Sequence, residues 1–203
     1  MNSIPRPFVL FAFLSSAFIA LEGSAAANEE GAAEEKSAHE YVGSKKCKKC
    51  HIKQYKSWLT TKMANSFEIL KPGERAETKT AAGLDPEKDY TTDETCLPCH
   101  TTGYGEAGGF ADIETTPTLA GVGCEMCHGA GGTYLQKQHM SNKNKEYKKA
   151  ELVAVGMVDQ VTETRCINCH NEESPFVDEG YVFDFEAKRD EGTHEKFPLK
   201  YEH

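Results

Sequence analysis

Cys47-Lys-Lys-Cys50-His51 decides how the rest of this sequence is read, because the same frame recurs three times. The other copies are Cys96-Leu-Pro-Cys99-His100, Cys124-Glu-Met-Cys127-His128 and Cys166-Ile-Asn-Cys169-His170, and together the four use all 8 cysteines of the 203-residue chain. In an exported protein an even cysteine count reads first as a disulfide framework, and Cys-x-x-Cys pairs read next as zinc sites. Neither explains a histidine after every pair. With 8 histidines in 203 residues, one such coincidence is roughly one in 25 and four together are on the order of one in a million. Cys-x-x-Cys-His is the attachment signature of c-type haem, in which two thioether bonds fix the porphyrin and the adjacent histidine reaches its iron. The pattern predicts four covalently attached haem c groups on these cysteines, with His51, His100, His128 and His170 as proximal iron ligands.

Upstream of the first motif the chain reads as an export signal. Met1 and Arg6 precede a mostly apolar run from Phe8 to Leu21, and small residues, Ser24 to Ala27, precede Asn28. This is the layout of a cleaved signal over residues 1–27. The run is shorter than the roughly 20 residues of a spanning helix, so the expectation is a periplasmic or extracellular protein without a membrane span. No cysteine precedes Cys47, which argues against a lipid anchor at the cleavage site. Removing residues 1–27 takes away Arg6 and Glu22 and leaves the formal charge at -9. A chain of that sign repels nucleic acid and anionic lipid and favours redox partners with basic docking surfaces.

Residues 28–40 are acidic, rich in small side chains and without apolar periodicity, and are expected to form a disordered leader in which His39 is a solvated linker histidine. Residues 41–203 are then the tetrahaem domain. After the first motif Tyr55, Leu59, Met63 and Phe67 recur every four residues, with Leu70 three further on, and predict one helix ended by Lys71-Pro72-Gly73. A weaker helix is expected near 74–82, a glycine-rich loop over 103–109 leading to a short strand or hairpin near 110–113, and a lysine-rich helix near 144–155. The basic run from Lys143 to Lys149 reads as a solvated face or a docking site for an acidic partner. Gaps of 44, 23 and 37 residues between each motif histidine and the next cysteine exclude a simple tandem repeat. So few residues per haem cannot wrap each group separately. The expected fold is mainly α, with short helices and long loops around haems that pack against one another and form much of the core, and little β.

Four irons leave four distal positions, and only His39, His139, His194 and His203 remain to fill them. His39 lies in the leader and His203 ends the chain, where fraying is usual. His139 and His194 are the well-placed candidates, and two histidines cannot serve four irons.

The chain resembles the cytochrome c-554 family of tetrahaem carriers from about Val42 to the C-terminus. The likeness rests on Lys46 to His51 with Ser57-Trp58, Leu70-Lys-Pro72, Leu84-Asp-Pro86 and Lys88-Asp-Tyr-Thr91. It continues through Gly121-Val-Gly-Cys-Glu125, Cys127-His-Gly129, Gly131, His139, Arg165-Cys166 and Tyr181 to His194. In that family three haems carry histidine on both faces and the second along the chain is five-coordinate. The resemblance implies His139 as distal ligand of the first haem and His194 of the third. The family's remaining distal histidine lies twelve residues after the first motif histidine, where this chain has Met63. Similar sequences with Met-x-x-Ser-Phe there resemble a variant of the domain, which implies a methionine on the fourth haem. The other reading is that Met63 fills the apolar stripe, as methionine does well. A thioether ligand stabilises ferrous iron and raises the potential relative to a second histidine, so a ligating Met63 would make the fourth haem the exit for electrons. Ser174-Pro175-Phe176 matches a family segment that lies against the open second haem, where an apolar side chain excludes strong ligands yet admits a diatomic.

The leading function is therefore a periplasmic electron carrier between redox partners. The alternative is a reductase of nitric oxide or a related nitrogen oxide at the second haem. A subunit of an extracellular cytochrome filament is disfavoured, because such subunits need two histidines per iron. Familiar family members are lysine-rich and this chain is acidic, so their partner is not carried over.

Overall fold

Each of the four motifs closes into one helical turn, which brings both cysteines and the histidine to one side of the backbone. In the computed structural model, which describes residues 40–199 apart from Asn142 and Lys145, the His51 N–H donates to the Cys47 carbonyl at 3.0 Å and the His170 N–H to the Cys166 carbonyl at 2.9 Å. The expected signal, most of the leader, His39 and His203 lie outside the described residues.

The helices are α1 (Ser44–Cys47), α2 (Ile52–Trp58), α3 (Ala76–Ala81), α4 (Leu97–His100), α5 (Cys124–His128), α6 (Lys149–Ala154), α7 (Glu163–Ile167) and α8 (Phe185–Lys188). Among the described residues there are also two 3-10 turns, Glu68–Leu70 and Pro117–Leu119, and the isolated bridges Thr101↔Ala120 and Ser141↔Asn144. The chain is mainly helix and loop with almost no β, as its sequence predicts.

Three local expectations are corrected. The helix drawn through Tyr55, Leu59, Met63 and Phe67 stops at Trp58. Thr60 Oγ1 donates to the Ser57 carbonyl and Thr61 Oγ1 to the Trp58 carbonyl, both at 2.7 Å, and Asn65 Nδ2 donates to the Leu59 and Thr61 carbonyls. Hydroxyl and amide side chains thereby take carbonyls that helical N–H groups would have used. Met63 sits in the resulting turns, and Leu59 is exposed.

The strand near 110–113 does not form. The Ala111 and Asp112 N–H groups donate to Thr116 Oγ1, and the Asp112 carboxylate accepts from the Glu114 and Thr115 N–H groups, so side chains hold the segment in a turn. The lysine-rich helix is shorter than expected and begins at Lys149, where the Glu151 carboxylate folds back onto the Lys148 N–H at 3.3 Å. Glu40, counted with the leader, is already engaged, since the Gly132 N–H donates to its carbonyl at 2.9 Å.

A small protein core surrounds the second motif. Phe67, Leu70, Tyr90, Leu97, Phe110 and Leu119 are all buried and in contact, with the Phe67 and Phe110 rings 5.4 Å apart. Thr101 and Thr102 lie beneath them, completely enclosed; Thr101 Oγ1 donates to the Leu97 carbonyl and Thr102 Oγ1 to that of Gly121. Gly121 needs its lack of a side chain for a protein reason: its φ is +85°, and a Cβ there would sit 2.7 Å from the Ala64 carbonyl oxygen. The glycine thus admits the Met63 turn to the second motif.

Candidate functional site

The four motif imidazoles define the site; His51 and His100 are half-buried, while His128 and His170 keep part of their surface exposed. Desolvation by the surrounding chain lowers all four from the ordinary histidine value, which favours the neutral ring and its lone pair at pH 7. At His100 the orientation is fixed: Nδ1–H donates to the Ser66 carbonyl at 2.7 Å, which leaves Nε2 as the free donor atom. A backbone partner of this kind sets the tautomer of ligating histidines generally. Ser66 also bonds across to the His100 carbonyl and accepts from the Val122 N–H, so the turns carrying Met63 are fastened beside the second motif.

The first and third motifs open on one cavity of about 500 Å³, whose wall includes Cys47, His51, Cys124, His128, Tyr134 and His194. His194 Nδ1–H donates to the Glu195 carbonyl at 2.9 Å, which directs Nε2 away from its own backbone. The His128 and His194 rings have centroids 6.3 Å apart and planes inclined at only 22°. Two metal–nitrogen bonds of about 2 Å, extended by about 1 Å from each nitrogen to its ring centre, span that distance. The pair therefore fits an iron held between two imidazoles. Met140 lines this cavity but its neighbour His139 does not; His139 is half-buried, its carbonyl accepting from Asn144 Nδ2.

A second cavity, of about 440 Å³, lies at the fourth motif against His170, Ile167, Tyr181 and Phe183. The Phe183 ring stacks on His170 at 4.8 Å between centroids. The sulfur atoms also show how the motifs adjoin. The Cys47 and Cys124 thiols are within hydrogen-bonding reach of each other, and the contact raises Cys47 while lowering Cys124. Cys99 and Cys169 form the equivalent contact, with Cys99 lowered and Cys169 raised. Cys127 feels Cys166, and Arg165 Nη1 donates to the Met126 carbonyl at 3.1 Å, joining the third motif to the fourth. The spatial order is first, third, fourth, second. All eight cysteines are free thiols, and among the described residues no three or more His, Cys, Asp or Glu side chains are grouped so as to hold a metal ion.

The family model for cytochrome c554 and c-prime matches residues 46–129. Cytochrome c-554 of Nitrosomonas europaea is 36% identical over 182 residues, covering 79% of this chain and 77% of that protein. The chain belongs to the cytochrome c-554 family. The solved reduced state of cytochrome c554 from Nitrosomonas europaea superposes with a TM-score of 0.70 at 36% identity, over 81% of this chain and 90% of that one. Membership makes the protein a c-type cytochrome with covalently bound haem c and a role in electron transport, which implies redox partners. No helix among the described residues is long and apolar enough to cross a membrane.

Several residues important to this cytochrome c-554 fold stand within the family-like stretches but received no role from the sequence. Glu125, inside the third motif, is 1% exposed. Its carboxylate accepts from the Val42, Gly43 and Gly131 N–H groups at 2.7–2.9 Å. It stitches the start of the domain onto a haem motif. Ser66, which orients His100, and Phe183, which covers His170, were likewise given no role, and only Gly-rich flanks on both sides of Glu125 hinted at how closely the chain approaches it.

Proposed function

We propose that the protein is an exported, periplasmic electron carrier with four haem c groups, attached through Cys47 and Cys50, Cys96 and Cys99, Cys124 and Cys127, and Cys166 and Cys169. His51, His100, His128 and His170 are the proximal ligands. Bound haem supplies one-electron exchange between ferric and ferrous iron. The observation that carries this reading is the gap between His128 and His194, sized for one iron. His194 is assigned as the distal ligand of the third haem. His139, next to the cavity-lining Met140, is assigned to the first on the family pattern.

Met63 is assigned to the fourth haem. Its turn is held by its own carbonyl, which accepts from the Ser66 and Val122 N–H groups, so the side chain is not needed to keep the loop in place. A redox titration followed by magnetic circular dichroism tests this. The wild type is expected to show a methionine-to-iron charge-transfer band, and Met63→Ala to lose it together with a downward shift of one potential; identical spectra would return Met63 to the role of packing residue. Donor and acceptor are redox proteins, and the acidic segment around the fourth motif is the surface for a partner with a basic docking face.

A second reading, reduction of nitric oxide at the second haem, is favoured by one placement. Cys99 adjoins Cys169, and the Cys169 Sγ approaches the Pro98 carbonyl, so the loop with Phe176 that follows the fourth motif starts beside the second. A high-spin ferric signal that changes on adding nitric oxide is its expected mark, and four low-spin haems would remove it.

A further inference from the structure

Charge is distributed very unevenly in this acidic protein. Ser44 to Phe67 contains seven lysines and no aspartate or glutamate, whereas residues 159–199 carry eleven acidic and four basic side chains. Lys45 and Lys46 stand on α1, Lys48 and Lys49 lie within the first motif, Lys53 and Lys56 stand on α2, and Lys62 follows; all are exposed. None of them joins an ion pair among the described residues. Lys149 in the later basic run does, with Asp159 at 3.0 Å. Carboxylates do touch the segment's surroundings. Glu125 is buried at Val42 and Gly43, and Glu195 lends a backbone N–H to Ser57 Oγ while bringing Lys196 alongside.

Apolar side chains break this lysine field at its centre. Ile52 is 51% exposed and Leu59 47%, one at each end of the α2 face that also shows Lys53 and Lys56. Cys50 is exposed immediately before them. An apolar centre within a ring of one charge sign, beside a redox motif, is the form of a steered, short-lived electron-transfer interface.

Resting on the carrier reading, we propose that this face of the first motif docks an acidic redox protein. The protein then presents two docking surfaces, at the first and fourth motifs, to partners of opposite charge, and its net charge describes only one of them. In the step at this face one electron leaves the reduced partner's cofactor and one ferric iron becomes ferrous.

The test uses the holoprotein and two reductants, a reduced acidic [2Fe–2S] ferredoxin and hexaammineruthenium(II), in stopped flow at low ionic strength. K46E/K53E/K56E is expected to slow reduction by the ferredoxin about ten-fold or more and to abolish its salt dependence. Reduction by the ruthenium complex, a dication that the reversed charges do not repel, should not slow, the haem spectrum should not change, and K143E/K148E should behave as wild type. An unaltered ferredoxin rate in the triple variant, or an equal loss in K143E/K148E, would overturn the proposal. A several-fold faster rate after deletion of residues 28–39 would make the acidic leader the occupant and also overturn it. So would binding to phosphatidylglycerol vesicles that the triple variant loses while its ferredoxin rate stays the same. If neither reductant reduces the wild type, the carrier reading itself falls; a loss confined to the ferredoxin arm leaves that reading intact.

Discussion

A chain in which all eight motif cysteines are replaced by alanine is expected to lose most of its helical circular dichroism and any cooperative thermal transition. The reason lies in the lengths of the elements. The longest described helix, α2, has 7 residues and α1, α4 and α8 have 4 each. Isolated helices shorter than about 12–15 residues are marginal in water. Tertiary burial must therefore hold them, yet the apolar cluster of Phe67, Leu70, Tyr90, Leu97, Phe110 and Leu119 serves only the second motif. Around the first, third and fourth motifs the walls are cavities that end in histidines and cysteines. Covalent haem is the remaining apolar mass. A cysteine-free chain that melts cooperatively with wild-type helicity would refute this account.

The second large effect is expected at Glu125. In Glu125→Ala the buried N–H groups of Gly43 and Gly131 and the half-buried N–H of Val42 lose their acceptor. Each unsatisfied buried donor costs about 1–3 kcal/mol, so the holoprotein should lose about 2 kcal/mol or more. For a chain of this size that corresponds to a fall in Tm of roughly 4–8 °C. Glu125→Gln keeps one acceptor oxygen but turns the other position into a donor facing N–H groups, so it should recover only part of the loss. Denaturant unfolding of haem-loaded protein measures both, and a Glu125→Ala change below about 1 kcal/mol would mean that water or neighbouring carbonyls replace the carboxylate.

Haem attachment was legible in the sequence because its chemistry fixes spacing: two cysteines and a histidine must share one helical turn, and four such frames leave little else to infer. The short-helix, loop-rich architecture was legible in how few residues separate the Cys-x-x-Cys-His frames. The helix through Met63 was misjudged because an apolar period of four outweighed Thr60, Thr61 and Asn65, whose side chains capture the carbonyls the helix required. Glu125 was unreadable for a different reason. A glutamate is buried only where backbone donors converge on it, and those donors come from residues 82 and 83 positions away in the chain and from the loop just beyond. The adjacency of first with third and second with fourth motifs is equally nonlocal, and no spacing in the sequence encodes it.

The unwound turns between Trp58 and Glu68 carry one more implication, and it concerns descent. Threonine, asparagine and serine side chains and the backbone of residue 63 hold this loop against Val122, and none of those bonds uses the residue 63 side chain. The position behaves as a socket whose occupant is exchangeable without refolding its surroundings. On the ligation proposed above for Met63, a lineage with this scaffold can therefore exchange histidine for methionine by substituting one residue, moving along the redox scale while its architecture stands still.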